Sequence, residues 1–164
     1  MLKIKSTTTS DFKQLDSLFK RLHTIEKYDV EYGYFEGDVH ESSGLEFVDL
    51  VTILNEGAGV HLPPRPFMEL AYNSVDRHFE VDKRWKERVW QYLSGTGNII
   101  SLMKDIGKIG QNHVEDAIIF GMWEENAPDW AAYKFSKYGH SIPLIETTEM
   151  LESVKSKVNK HDQT

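Results

Sequence analysis

Cysteine is absent from the 164 residues. Its absence removes disulfide scaffolds, thiol nucleophiles, zinc fingers and iron–sulfur sites, and leaves the redox compartment open. Basic charge is scarce: 19 Lys and Arg stand against 26 Asp and Glu, for a formal net charge of −7. Proteins that live by phosphate contacts carry the opposite sign, so sequence-specific nucleic-acid binding is not expected. No apolar run approaches the roughly 20 residues of a spanning helix, and MLKIKSTTTSDF lacks a signal-peptide stretch, so neither a membrane nor export is expected. Internal repeats and low-complexity linkers are also missing. The rest of the composition is ordinary, with 40% hydrophobic and 27% charged residues, which excludes disordered, collagen-like and coiled-coil classes. The length suits one domain able to bury a core without staples. We expect that domain over residues 1–158, with 159–164 as a disordered tail.

Periodicity then places the elements. Ser10 and Asp11 precede Phe12, Leu15, Leu18, Phe19, Leu22 and Ile25, whose steps of three and four predict a helix with one apolar face. After Lys27 the period falls to two. Val30, Tyr32 and Tyr34 alternate with Asp29, Glu31 and Gly33, which predicts a half-buried strand with a bulge or close backbone approach at Gly33. Ser43 and Glu46 form a capping-box pattern ahead of Phe47, Val48, Leu50, Val51, Ile53 and Leu54, a helix that ends at a left-handed Gly57. Prolines at 63, 64 and 66 forbid helix and force an extended lead-in, with Pro66 opening the next helix. Phe67, Leu70, Ala71, Ser74, Val75 and His78 share a face of it. Asp82 caps a further helix with Trp85, Val89, Trp90 and Leu93 inward, broken at Gly95-Thr-Gly97.

The clearest period runs from Asn98 to about Glu124, through Ile99, Met103, Ile106, Gly110, His113, Ala117 and Gly121. Unbroken, this helix is about 40 Å long. Gly107, Gly110 and Gly121 each weaken it by ~1 kcal/mol relative to Ala, so they permit close packing or mark a bend. Asn126-Ala-Pro128 ends it; 129–143 is aromatic and turn-rich without a firm element, and a short helix or strand runs from Thr147 to Lys157. The fold class expected is α+β: several helices, one long, packed on a small, mostly antiparallel sheet.

Reactive groups do not assemble into a known pattern. The seven histidines stand at 23, 40, 61, 78, 113, 140 and 161, none three or four apart, and His113, Glu115 and Asp116 point different ways on a helix. No metal site is expected. There is no nucleophile elbow, P-loop or dinucleotide fingerprint, so no catalytic residue and no cofactor is assigned and the chain is read as a non-enzyme. The rival is a small hydrolase, metal-dependent or not, using acidic residues with His78 or His113. Pro63 and Pro66 have P-x-x-P spacing, which suits a polyproline ligand, but the helix pattern that follows favours a stiff lead-in. Arg65, framed by prolines, is preset for a bidentate carboxylate contact, within the chain or across an interface. Trp130, Tyr133, Phe135 and Tyr138 fit a subunit interface or a core closed by a loop.

Several stretches resemble a known family. Asn55-Glu-Gly-Ala-Gly59 with Leu62-Pro-Pro-Arg-Pro-Phe67 is similar to the N-E-[FY]-G-T … I-P-[AP]-R-P-F signature of small minor tail, or tail-completion, proteins of tailed bacteriophages. Asn126-Ala-Pro128, Lys134 to Gly139, Pro143-Leu-Ile-Glu-Thr147 and Met150-Leu151 resemble the family's N-[AS]-P … K-G … K-P-L-I-D-T-G-x-[LM] stretch. Ile106 to Ile118 looks like its long helix and Tyr28 to Glu36 like its early strand. The chain departs from the pattern at Glu146-Thr-Thr148, where the family has D-T-G, and before Gly57, where it lacks the aromatic residue; the segment 81–96 is also longer and richer in Trp.

The resemblance implies a virion structural protein, made in the host bacterial cytoplasm and located in the tail or neck. It would act by assembly, as a homo-oligomeric ring docked on the connector, tail terminator or tail tube, with no catalytic centre. Pro63, Pro64, Arg65, Pro66 and Phe67, with Pro143, Leu144 and Ile145, are then the assembly or structural motif, either as contacts or as internal supports. On this reading Arg65→Ala leaves the monomer folded and impairs assembly. The acidic balance fits, because a DNA channel gains from walls that do not hold phosphates. A monomeric, host-directed binding protein is the other alternative.

Overall fold

The computed structural model describes residues 8–59 and 62–161. Its organising element is the long helix α5, Ile99–Phe120 in chain order, which follows α1 (Thr8–Ile25), β1 (Tyr28–Gly33), α2 (Phe47–Glu56), α3 (Phe67–Val81) and α4 (Lys83–Ser94). After it come α6 (Pro128–Tyr138), α7 (Glu149–Glu152) and β2 (Lys155–Lys160). The fold is α+β. Among the described residues no helix is long and apolar enough to cross a membrane.

Asn98 caps α5 as its type predicts, its Oδ1 accepting from Ser101 N–H at 3.1 Å. The helix stops at Gly121, in extended backbone, and Trp123 folds back so that its Nε1–H donates to the Ala117 carbonyl at 3.0 Å. Gly121 is therefore a helix end and not an interior weak point. Gly107 and Gly110 are interior, and they face the sheet. β1 and β2 pair antiparallel from Tyr28↔Lys160 to Gly33↔Lys155. A Cβ at Gly107 would lie 2.6 Å from Ser156 Oγ, and one at Gly110 would lie 2.3 Å from the Tyr32 ring. Close approach of sheet to helix is what these glycines allow.

Two apolar clusters share α5. At its C-terminal half Val114, Ala117 and Ile118 meet Phe47 and Val51 of α2, Phe67 and Ala71 of α3, and Leu144, Met150 and Val154. At its N-terminal half Leu102 and Met103 meet Tyr92 of α4, with Ile25, Val30 and Val158 against them. Tyr34 ties β1 to α7 through its hydroxyl, which donates to the Met150 carbonyl at 2.8 Å.

Several expectations are corrected. The capping box before α2 does not form: Ser43 Oγ is engaged by His40 Nδ1 at 2.9 Å and by Leu45 N–H at 3.3 Å, and the N-cap residue is Glu46, whose side chain makes no bond to the helix start. Asp82 does cap α4, accepting from Arg84 N–H at 2.7 Å. On α4 Trp85, Val89 and Leu93 do pack on the core, but the buried residue is Tyr92, and Trp90 is 68% exposed. Residues 129–138 are helical, opened by Pro128 in the first turn and closed by left-handed Gly139. The 147–157 segment is both things in succession, α7 and then β2. Asn159 and Lys160 belong to the sheet rather than to a tail, since main-chain pairing with Asp29 and Tyr28 fixes them. The remaining tail residues 162–164 lie outside the described residues, as does His61.

Candidate functional site

At the C-terminal end of α2 the chain reverses. Gly57 takes φ 78 and ψ 166, a positive-φ extended state rather than the left-handed helical one, and a Cβ there would lie 2.7 Å from both Leu62 O and Pro64 N. The proline segment then runs extended along the helix end, anchored by Arg65 N–H to the carbonyls of Leu54 and Asn55, each at 3.2 Å. Pro66 is the residue before α3, not its first, and offers no side-chain acceptor to the helix start. Asn55 supplies one from a distance: its Oδ1 accepts from Met68 N–H at 3.2 Å. Phe67, directly after, is wholly buried in the core.

Arg65 is 2% exposed. Its Nε–H and Nη2–H donate to the Glu124 carbonyl at 3.2 and 3.0 Å, and Nη2–H reaches Asn126 Oδ1 at 3.3 Å. Asn126 Nδ2–H in turn donates to the Ser141 carbonyl at 2.8 Å. The expected bidentate carboxylate partner is thus replaced by a main-chain carbonyl. For Arg65→Ala this adds a cost within the monomer: a buried guanidinium that holds two loops together cannot be removed without loss of stability. Lys134, on α6, is also 2% exposed and donates to the Ile142 carbonyl at 2.5 Å. That bond fixes the loop before Pro143. Leu144, next to it, is buried with φ 63, a conformation that L residues other than Asn and Asp rarely adopt.

These stretches enclose one cleft of about 340 Å³, lined by Leu62, Arg65, Asn126, Lys134, Leu144 and Met150 among others. Of the motif residues singled out in the sequence, Arg65 and Leu144 meet there. Pro64 and Pro66 face solvent, Pro63, Pro143 and Ile145 are half-buried supports, and Phe67 lies in the core. Thr148, where the resembling family has glycine, sits at φ −77, so no glycine is needed. Lys134 opens the resembling stretch to Gly139, but the sequence gives it no role of its own; the structure places it in the cleft. It sits between Tyr133 and Phe135 on a helix that gave no period.

The cleft's charge is unusual. Among the described residues neither Arg65 nor Lys134 has a carboxylate oxygen within 4.0 Å. Burial pushes the Lys134 ammonium down from its ordinary pKa; Glu146 opposes the shift and Arg65 adds to it. Burial likewise lowers Arg65, with Glu124 opposing. Glu146 lines the cleft but is engaged by the Tyr138 hydroxyl, which donates to it at 2.7 Å.

A second constellation joins the two histidines named for a hydrolase. His113 Nε2 lies 3.3 Å from His78 Nδ1, and His78 Nε2 lies 3.3 Å from Asp82 Oδ2. Burial lowers the pKa of His113, His78 adds to that, and Asp116 opposes it. Ser74, one turn before His78, spends its hydroxyl on the Leu70 carbonyl at 2.8 Å. Among the described residues no group of three His, Asp or Glu side chains is placed to hold a metal ion. No family model, curated protein or solved structure matches the chain.

Proposed function

We propose that this protein is a structural component of a bacteriophage particle that completes the tail or joins it to the head, acting by protein–protein assembly and not by catalysis. One observation carries the reading. The stretches that carry the family resemblance, centred on Arg65, Asn126, Lys134 and Leu144, are up to 79 residues apart in sequence, yet all four residues line a single cleft and Arg65 bonds to Asn126. A chance likeness of scattered motifs gives no reason for them to meet.

The surface supports assembly as well. On α1, Phe12, Leu15, Phe19 and Leu22 form an exposed apolar stripe, and Phe120 at the end of α5, Met122 just after it, and Tyr133 and Phe135 on α6 are exposed as well. Patches of this kind mark interaction sites. Two different ones are what a head-to-tail contact closing into a ring requires. Neighbours would be the connector, tail terminator or tail tube, in the virion. Disrupting the gene should yield heads and tails that fail to join or tails left unfinished, seen by electron microscopy. Normal particles at normal yield would overturn the reading.

A hydrolase has the Asp82–His78–His113 chain in its favour. Turnover of p-nitrophenyl esters or phosphodiesters by the purified protein, lost in His113→Asn, would establish that reading instead.

A further inference from the structure

We infer that the cleft between Arg65, Lys134 and Leu144 receives a short segment of a neighbouring protein in which a carboxylate side chain stands beside a bulky apolar one. The identity of the occupant as a protein rests on the assembly reading; the chemistry of the site rests on its geometry.

Two cations with almost no solvent contact stand in one cleft, and each keeps unused donors. Lys134 Nζ spends one N–H on Ile142, and Arg65 spends Nε and Nη2 on Glu124 and Asn126, while Nη1 has no partner among the described residues. A buried cation is strongly favoured by a charge-assisted partner. The acid that lines the cleft, Glu146, is already turned to Tyr138. An incoming carboxylate would complete a set of bonds that the chain by itself leaves open.

The walls specify what carries the carboxylate. Leu54, Leu144 and Met150 line the apolar side, and Trp130, stacked on Tyr133 at 5.0 Å between ring centroids, is exposed on α6. A volume of about 340 Å³ admits a side chain or two, not a folded element. Leu144 holds its wall position in a strained backbone state. Such strain gathers where a surrounding structure enforces a ligand site. A phosphate-rich polymer is a poor occupant, because the cleft is apolar and the whole chain carries −7.

The test is a chemical-shift titration of the ¹⁵N-labelled protein with acetyl-Gly-Leu-Phe-Asp-Gly-amide, its Asn counterpart, and decanoate. The Asp peptide should produce saturable shifts at the Trp130 indole and Leu144 amide, with at least tenfold weaker binding by the Asn peptide. Lys134→Met should reduce that discrimination to less than threefold, and Lys134→Arg should restore it. Trp130→Ala, an exposed change that leaves the core intact, should weaken both peptides alike. Equal binding of the Asp and Asn peptides, no binding by either, or saturation by decanoate alone would overturn the inference. Failure here, in a protein whose gene is still needed to join heads to tails, would remove the cleft proposal and leave assembly standing. Normal particles without the gene would do the reverse.

Discussion

Arg65 shows how a residue type chosen for charge ends up used for geometry. Its fork meets one carbonyl through two N–H groups and an amide through a third bond, a pattern that a point charge cannot reproduce. Arg65→Ala leaves Glu124 O and Asn126 Oδ1 without their donor, so stability should fall by about 2–4 kcal/mol. Arg65→Lys should recover less than half of that, because one ammonium cannot span the same acceptors. Urea denaturation reads both, and a midpoint unchanged in Arg65→Ala would show that the loops are held by something else. Leu144 offers a different test. Truncating a buried leucine ordinarily destabilises by about 2–5 kcal/mol, and glycine is ordinarily worse than alanine. At φ 63 the second rule reverses. Leu144→Gly should be more stable than Leu144→Ala by about 1 kcal/mol, since only glycine occupies that region without a Cβ clash.

Among the elements, α5 explains both what the sequence discloses and what it conceals. Its period was legible because both clusters pack on it along its length, so burial wrote a regular pattern. Helix α6 was not legible: its aromatics Trp130, Tyr133 and Phe135 face solvent, and only Lys134 is buried. Strand β2 reads KSKVNK, with its pairing supplied by a strand more than 120 residues earlier, so no local pattern marks it. The motif around Arg65 could be singled out from its prolines, but the cleft could not, because it exists only where four distant stretches converge. Close packing gives the element-scale expectation. Gly110→Ala gains ~1 kcal/mol of helix propensity but drives a Cβ into the Tyr32 ring. Overpacking outweighs propensity there, and net stability should fall by about 1–3 kcal/mol; a rise in melting temperature would mean that the sheet sits more loosely on α5.

The contact between α3 and α5 adds a dependence on pH. His113 has its pKa lowered from 6.5 in the folded protein, so the unfolded chain binds the proton more readily. Its contribution is complete above that value and is lost as pH falls below 6.5 toward the folded-state pKa, after which the loss levels off. Thermal unfolding between pH 7.5 and 5.5 should therefore show a decline that is shallower in His113→Asn. Equal slopes in the two proteins would assign the acid sensitivity to other groups.

For the whole molecule, the decisive feature is that its two exposed apolar patches differ from each other. Phe19 lies on the α1 stripe and Met122 beyond the end of α5, and both are solvent-facing. Substitution of either by Glu removes no core contact, so monomer stability should change by no more than about 0.5 kcal/mol. If the proposed ring forms, each should abolish oligomers, because a head-to-tail contact needs both surfaces. The two variants are complementary, however. Phe19→Glu retains an intact Met122 patch and Met122→Glu an intact stripe, so an equimolar mixture has one working contact and no means of extending it. Light scattering of the mixture should find heterodimers and nothing larger. A self-complementary contact through one patch predicts otherwise: one variant would still dimerise alone, and mixing would add no species.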